Sequence, residues 1–221
     1  RSKEVKHLKL SKRTKVKKES VQALIEAMDY YYNLKTINWN KKDSPESEYM
    51  TQRGFSKSSL NKCKAKLTYN DAYPIIFPML DMGEFRGWVC RTTNEKIAKK
   101  RKYLYNEGFS RSNTLVGTYN AEEVYLVEGY MDWLKMKQNG AKKVAAILGW
   151  KITDQQVYKL KSKGVKRIIS ALDNDSCGRK GSKYLKNFFE VIRFKFPEGV
   201  KDPGDMDRKT FEKANRKTLK K

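Results

Sequence analysis

Histidine and cysteine are scarce in this chain, and their scarcity excludes several kinds of chemistry. The sequence contains one histidine, His7, and three widely separated cysteines, Cys63, Cys90 and Cys177. Zinc sites are usually built from closely spaced cysteines and histidines, so a zinc site is not expected. A single histidine also argues against histidine-dependent catalysis. Acid, base or metal chemistry must therefore come from carboxylates, lysines and arginines, and the cysteines are expected to be reduced and buried.

Long apolar runs are also absent. No segment approaches the roughly 18 apolar residues of a membrane helix, and no secretory signal pattern is present, so no membrane partner is predicted. Hydrophobic residues make up 38% of the 221 residues, which is enough to form a core. This length suits one large domain, or a core with a smaller appendage. The chain begins with Arg1 rather than methionine, which predicts a fragment or a processed product.

Acidic residues are in clear deficit. The 49 lysines and arginines exceed the 25 aspartates and glutamates, giving a net charge of +24. Such an excess repels itself in the folded state, and an acidic partner relieves the repulsion. Nucleic acid is the predicted partner, through phosphate contacts and counterion release. A membrane surface would also suit the charge, but it is the weaker alternative because no strongly amphipathic basic helix stands out. Residues 1–20 are predicted to be a basic arm, or a helix that orders on a partner.

The first half of the chain mixes helical and strand patterns. Residues 21–34 predict a helix, residues 44–68 a small helical subdomain, and residues 73–81 and 85–92 two strands. The apolar face of the first helix is predicted to be Val21, Leu24, Ile25 and Met28.

From residue 124 onward, strand and helix patterns alternate. Thr153 and Gln156 form a capping box at the start of one of these helices. Alternation of this kind predicts a parallel sheet with crossover helices. The predicted strands are 124–129, 143–148, 166–173 and 193–196, and the predicted helices are 130–140, 153–164 and 179–192.

Acidic residues follow two of these strands, at the point where each strand ends. Glu128 ends the first strand, Asp173 ends the third, and Asp175 follows two residues later. In a parallel sheet such residues meet beyond the carboxyl ends of the strands, where crowded carboxylates repel one another. A hard divalent cation such as Mg²⁺ would remove that repulsion. Asp202 and Asp205 are weaker candidates for the same site, because Asp-Pro is also ordinary turn chemistry. Each acid taken alone would more simply cap a strand or a turn.

Three motifs in this region resemble a known domain. They are EGYMD (128–132) after an apolar strand, LG (148–149), and DND (173–175) followed by Gly178 and Gly181. Together they resemble the Toprim domain, the metal-binding domain of primases, topoisomerases and some nucleases. The EGYMD form and the KDPGD segment (201–205) are most similar to bacterial and phage DnaG-type DNA primases.

The resemblance continues upstream. Four upstream segments are similar, in order, to successive segments of the primase polymerase core. They are the strand-like segments 76–81 and 87–91, the segment 102–104 and the stretch 109–117. The likeness spans about residues 44–215. The chain departs from the family pattern at Arg101 in place of proline, Arg111 in place of lysine, Asn113 in place of arginine, and Trp150-Lys151 in place of small polar residues. No zinc-ribbon module and no helicase P-loop occur in the sequence.

The resemblance implies the RNA-polymerase core of a primase, an α/β fold (α+β overall). Its Toprim domain would have a parallel sheet flanked by helices, preceded by a small basic subdomain of mixed helices and strands. The activity would be a nucleotidyltransferase that synthesises RNA primers from NTPs on a single-stranded DNA template, in the cytoplasm of a bacterial cell or phage-infected host. An RNA–DNA primer duplex and a replicative helicase would be further partners. The implied divisions are a basic arm at 1–43, the subdomain at 44–120, Toprim at 121–210 and a basic tail at 211–221.

The resemblance also implies a set of site residues. The catalytic and metal-binding carboxylates, holding Mg²⁺ or Mn²⁺, would be Glu128, Asp173 and Asp175. A further ion would be held by Asp202 and Asp205, whereas Asp207 would only flank the next helix. Contacts to the triphosphate or to the template backbone would come from Arg91, Lys102 and Arg111.

Two other functions fit parts of the same pattern. A Toprim nuclease would use the same carboxylates with water as the nucleophile, but it would not need the upstream strands. A non-catalytic nucleic-acid-binding protein with a relic Toprim fold would be expected to have lost at least one of the three core acids. The resemblance to the polymerase core therefore favours a primase.

Overall fold

The computed structural model describes residues 11–41 and 44–220, with side chains from residue 20 onward. The first ten residues of the predicted basic arm lie outside the described residues. Within the described ranges, no helix combines the length and apolarity needed to cross a membrane.

Eight α-helices and nine strands make up the described chain, together with 3₁₀ turns at Arg111–Asn113 and Pro203–Asp205. The helices are α1 (Ser11–Asn33), α2 (Pro45–Gln52), α3 (Lys57–Lys62), α4 (Glu95–Lys100), α5 (Tyr130–Gln138), α6 (Asp154–Ser162), α7 (Ser176–Leu185) and α8 (Arg208–Leu219). The strands are β1 (Lys66–Leu67), β2 (Ile75–Asp81), β3 (Glu84–Arg91), β4 (Tyr103–Tyr105), β5 (Val116–Thr118), β6 (Glu123–Val127), β7 (Val144–Ala146), β8 (Arg167–Ser170) and β9 (Glu190–Arg193).

A single sheet runs through the molecule in the order β4-β3-β2-β5-β7-β6-β8-β9, with β1 paired to β2. Strands β7, β6, β8 and β9 are parallel to one another, which confirms the predicted α/β fold with a parallel sheet. Strands β2, β3 and β4 form an antiparallel meander. The predicted domain division at residue 120 remains a prediction, and β5 pairs with β7 across it.

Helices cover both faces of the parallel half of the sheet. On one face, α5 and α8 contribute Leu134 and Phe211 to a core that includes Val127 and Ala146. On the other, α6 and α7 contribute Leu160 and Leu185 to a core that includes Leu126 and Ile168. Burial on both faces explains why these strands are almost continuously apolar. The polar residues that follow them are therefore confined to the edge of the sheet.

Local capping explains where several helices begin. The predicted capping box of α6 is present, because Thr153 accepts a hydrogen bond from Gln156 N and Thr153 N donates to the Gln156 side chain. Asp207 caps α8 by accepting from Thr210 N at 2.7 Å, which confirms the expectation that it flanks a helix. Such caps satisfy backbone donors that the first helical turn leaves unpaired.

The predicted apolar face of α1 is wrong. Val21, Ile25 and Met28 are exposed, whereas Ala27 and Tyr31 are buried. Tyr31 lies on the β2–β3 hairpin, with its ring 5.6 Å from Phe85. Residue spacing identified one apolar face of the helix, but the sheet buries the adjacent face, which carries the aromatic ring of Tyr31.

Two smaller expectations also fail. Helix α7 ends at Leu185 and β9 begins at Glu190, so the predicted helix over 179–192 and strand over 193–196 are misplaced. The chain becomes a strand at Glu190 because it pairs there with β8, although its composition predicted that the helix would continue to residue 192. Cys63 and Cys90 are free and buried as expected, but Cys177 is exposed, because it lies in the first turn of α7, beyond the sheet.

Candidate active site

The carboxyl ends of β6 and β8 bring together two acidic residues that are 45 positions apart in sequence. The two strands are neighbours, with Leu126 opposite Ser170, so the residues that follow them leave the sheet side by side. Asp173 N donates a hydrogen bond to Glu128 Oε1 at 3.2 Å. The predicted convergence of Glu128 and Asp173 is therefore what the structure shows, because parallel strands place their carboxyl ends at one edge.

Asp175 stands at the start of α7, where it also serves as a helix cap. Its Oδ1 accepts from Gly178 N at 2.8 Å. Gly178 is required at this turn, because a Cβ there would collide with the backbone of Asp173. Asn174, between the two acids, faces away from them: its side chain donates to Val200 O at 3.2 Å, and its backbone N donates to Lys201 O at 2.6 Å. Asn174 thus ties the site to the segment that carries Asp202 and Asp205.

Asp132 is a further carboxylate of this cluster that sequence reasoning did not count as a site residue. It lies in the first turn of α5, and its Oδ2 accepts from Gly129 N at 3.0 Å. The sequence did carry a signal for Asp132: it follows the strand-end Glu128 by four positions. A residue so placed, at the start of the next helix, remains at the same edge of the sheet. The sequence interpretation treated Asp132 only as a letter of the EGYMD motif.

Asp202 joins the cluster through a turn packed on α5. The turn containing Asp202 approaches Asp132 so closely that a Cβ on Gly204 would lie 2.7 Å from Asp202 Oδ1 and 3.3 Å from Asp132 Oδ1. Asn139, at the end of α5, fixes the turn by donating to Met206 O at 3.0 Å. Asp205 lies on the exposed side of the turn, where its Oδ2 accepts from Lys201 N at 3.2 Å.

Burial and mutual repulsion raise the pKa values of four of these acids. Burial, followed by the charges of Asp173 and Asp175, raises the pKa of Glu128 to about 7. Burial and then Asp202 raise the pKa of Asp132 to about 7. Burial, followed by Asp202 and Asp175, raises the pKa of Asp173 to about 6, against the opposing effect of Lys102 and Arg193.

The pKa of Asp202 is raised as well, by burial and then by Asp205. The four carboxylates with raised pKa values therefore share one electrostatic environment, in which each ionised group makes the ionisation of the next more costly. The members of this acidic cluster are Glu128, Asp132, Asp173, Asp175, Asp202 and Asp205.

An unpaired carboxylate oxygen indicates that the acidic cluster fits a cation. Asp173 Oδ1 is buried and has no hydrogen-bond partner among the described residues. A buried acceptor left unpaired is unfavourable, and a bound cation would satisfy it. Within the described ranges, no three acidic, histidine or cysteine side chains are already arranged to hold a metal. Mg²⁺ commonly takes only one or two carboxylates and completes its shell with water and substrate phosphates, so this donor set suits Mg²⁺ or Mn²⁺.

The predicted cationic residues differ in their exposure and in the groups they contact. Lys102 is exposed and close enough to lower the pKa of Asp173. Arg91 is buried, and its guanidinium donates to Tyr49 Oη at 2.8 and 2.6 Å. It also lies 4.8 Å from the centre of the Tyr103 ring.

Tyr103 links Arg91 to the acidic cluster. Burial raises the pKa of Tyr103, Arg91 opposes that rise and Asp132 adds to it, so this ring is close to both the arginine and one of the acids. Arg111 is exposed and lies 5.6 Å from the ring centre of Tyr105. The nucleotide contacts of all three cationic residues remain predictions.

Arg193 supports the loop between Asp173 and α7, and the sequence interpretation missed it. Its Nη2 donates to Asp173 O at 2.8 Å. Its Nη1 donates to Gly178 O at 3.1 Å and to Ser182 Oγ at 2.6 Å. Its position on β9, beside β8, places a positive charge behind the acids without pairing directly with any of their side chains. Nothing in the local sequence marks Arg193, because its role depends on the pairing of β8 with β9.

Buried Lys135 connects the acidic cluster to the upstream helices. Its ammonium group donates to Arg53 O at 2.8 Å and to Gly54 O at 2.9 Å, and lies 4.4 Å from the Phe55 ring centre. Burial and then Arg53 lower the pKa of Lys135, whereas Asp205 and Asp202 oppose that change. The turn between α2 and α3 is thereby held against α5, close to the acids.

Comparisons with known proteins bear on this arrangement. The family model described as Toprim-like matches residues 125–207, a range that contains every member of the acidic cluster. The structure of the DnaG primase catalytic domain bound to ssDNA superposes with a TM-score of 0.67 at 20% identity, covering 91% of this chain and 79% of that one. That likeness establishes the fold.

Sequence relatives extend the comparison. The DNA primase of Clostridium acetobutylicum is 31% identical over an alignment of 159 residues that covers 63% of this chain and 25% of that protein. The chain thus spans about a quarter of that primase. Together, these matches support a Toprim protein of the DnaG primase type.

A more extensive match identifies the particular family. The uncharacterized protein MG010 of Mycoplasma genitalium is 31% identical over 166 residues, covering 72% of this chain and 75% of that protein. The chain belongs to the same family as MG010.

Proposed function

We propose that this chain is the catalytic core of a primase that synthesises RNA primers on single-stranded DNA. In the proposed reaction, the 3′-hydroxyl of one ribonucleotide attacks the α-phosphorus of a ribonucleoside triphosphate. A new phosphodiester bond forms and pyrophosphate leaves. The single observation that supports this proposal is the acidic cluster at the carboxyl edge of a parallel sheet. Within it the pKa values of Glu128 and Asp173 are raised, and Asp173 Oδ1 is buried with no hydrogen-bond partner among the described residues. Such an arrangement suits phosphoryl transfer, in which positioning and electrostatics supply most of the catalysis.

The residues that would hold Mg²⁺ or Mn²⁺ are Glu128, Asp173 and Asp175, with Asp132, Asp202 and Asp205 beside them. When bound there, a divalent ion would neutralise phosphate charge and make a hydroxyl a better nucleophile. The protein's own contribution is to hold the acids together before substrate arrives. Gly178 and Arg193 shape the loop at Asp173, and the contact at Gly204 brings Asp202 close to Asp132.

The basic residues would receive the substrates. Lys102, which is exposed beside Asp173, would meet a phosphate that enters the acidic cluster. Arg91, fixed by Tyr49 and Tyr103, would keep positive charge behind that position, and Arg111 would contact the triphosphate or the template. The net charge of +24 and the likeness to a primase domain bound to ssDNA support a single-stranded DNA partner. NTPs, an RNA–DNA duplex and a helicase complete the set of proposed partners.

Incubation with single-stranded DNA, labelled ribonucleotides and Mg²⁺ or Mn²⁺ tests the proposal. RNA oligomers are expected, either unprimed or from a pre-annealed primer. Glu128→Gln and Asp173→Asn should abolish them. The matched control is Glu122→Gln, which alters an exposed glutamate just before the start of the same strand, paired with Lys166, and should retain activity.

The same assay separates the alternatives. Shortening of a labelled strand, lost in Asp173→Asn, would replace the primase proposal with a nuclease. Binding of DNA with neither product would leave a non-catalytic nucleic-acid-binding protein. Oligomer synthesis that persists in Glu128→Gln would contradict the assignment of the site.

A further inference from the structure

We propose that Trp150 is a stacking platform for a base of single-stranded nucleic acid beside the acidic cluster; this inference rests on the proposed function. All four tryptophans lie within the described ranges, and Trp150 is the most exposed of them, at 48%. Trp39 is buried, Trp88 lies 5.5 Å from the Tyr30 ring, and Trp133 donates to Val144 O at 3.2 Å. The largest aromatic side chain in this part of the molecule is therefore left facing solvent.

Trp150 is close to the acids because two glycines of α7 allow two loops to pack closely against this helix, one carrying Asp173 and the other carrying Trp150. A Cβ at Gly178 would collide with the backbone of Asp173, and a Cβ at Gly181 would collide with the carbonyl of Trp150. Residues three apart lie on the same face of a helix, about 4.5 Å apart along its axis. The backbone of Trp150 thus lies roughly one helical turn from the loop that carries Asp173.

The loop that carries Trp150 is held firmly, although its indole is exposed. Leu148 adopts a left-handed conformation with φ of 57°, which turns the chain away from β7. Lys151 lies 4.1 Å from the ring centre of Tyr184 on α7, and Ile152 is buried. A platform fixed by its own backbone loses little conformational entropy when a ligand binds.

Basic residues lie on the helix that packs against this loop and next to Trp150 in the sequence. Helix α7 carries Arg179, Lys180 and Lys183 and contains no acidic residue, and Lys151 adds another positive charge. An exposed aromatic ring within a basic surface is the combination by which proteins hold single strands: the ring stacks on a base while the cations contact the backbone phosphates. Stacking requires no hydrogen-bond readout, so this contact would tolerate any base.

The test compares the binding of two DNA probes to the full chain in EDTA, so that no catalysis is required. One probe is an oligo-dT strand, and the other is an abasic strand of the same length and charge. Trp150→Ala should bind oligo-dT about tenfold more weakly and should bind the abasic strand like wild type. Trp150→Phe, which keeps a ring, should stay within about threefold of wild type for both probes. Tyr158→Ala removes another exposed aromatic ring, on α6, and should change neither affinity.

Three results would overturn the proposal. Wild-type affinity of Trp150→Ala for oligo-dT would show that the ring does not stack on a base. An equal loss for the abasic strand would mean that the substitution acts through folding or charge. An equal loss in Tyr158→Ala would mean that exposed aromatic rings contribute without regard to position. Failure of wild-type protein to make primers would contradict the proposed function alone, because this comparison reads only binding.

Discussion

Replacing Asp173 with asparagine should stabilise the metal-free protein at alkaline pH. In the folded state, burial and the neighbouring acids raise the pKa of Asp173 from 3.8 to about 6, so ionising this carboxyl works against folding. The rise corresponds to roughly 3 kcal/mol. Because the side chain is only partly buried, solvent screening reduces the expected effect to about 1–2 kcal/mol. Asp173→Asn removes the charge and keeps the shape of the side chain.

The sign of the pH dependence follows from proton binding. Between about pH 4 and pH 6 the folded state binds more protons at Asp173 than the unfolded state, so stability falls as the pH rises. The cost is absent below about pH 3, where the carboxyl is protonated in both states, and is complete above about pH 7. Asp173→Asn should therefore exceed wild type in unfolding free energy at pH 8 and match it near pH 3.

Urea denaturation in EDTA at both pH values measures this difference. Adding Mg²⁺ or Mn²⁺ at pH 8 should reverse the order, because a ligand that binds only the folded state stabilises it by mass action and the variant has lost one of its ligands. Glu122→Gln, at an exposed position, should show no such reversal. The reasoning is refuted if Asp173→Asn is no more stable than wild type at pH 8 in EDTA, or if its advantage is the same at both pH values.

Two further substitutions test how the site is held. Gly178→Ala places a methyl group against the backbone of Asp173 and should cost about 1–3 kcal/mol of unfolding free energy in urea denaturation; Gly149→Ala, which has open space around it, should cost far less, and equal costs would contradict the close approach. Arg193→Gln removes three hydrogen bonds behind Asp173 and should weaken Mn²⁺ binding by about 10- to 100-fold in calorimetric titration. An unchanged Mn²⁺ affinity would show that the loop at Asp173 keeps its shape without this arginine.

Much of the parallel half of the fold could be predicted from sequence. Strands β6, β7 and β8 are short apolar runs separated by helices with clear ends, and the Thr153–Gln156 capping box marks the start of α6. The positions of Glu128 and Asp173 follow from the same alternation, because each comes directly after a strand. The failures lie where local composition competes with pairing, as at β9, whose residues continue a helical pattern but are drawn into the sheet by β8.

The sequence by itself determined which residue types are available for chemistry and where the parallel strands end, since both depend on composition and local pattern. Tertiary structure decided which of those residues meet. Asp132 belongs to the acidic cluster because the turn at Gly204 packs on α5, and Arg193 supports it because β9 pairs with β8. Long-range packing likewise chose the buried face of α1 and left Trp150 exposed beside the acids. Such contacts join residues that are far apart in the chain, so they cannot be predicted from the spacing of neighbouring residues.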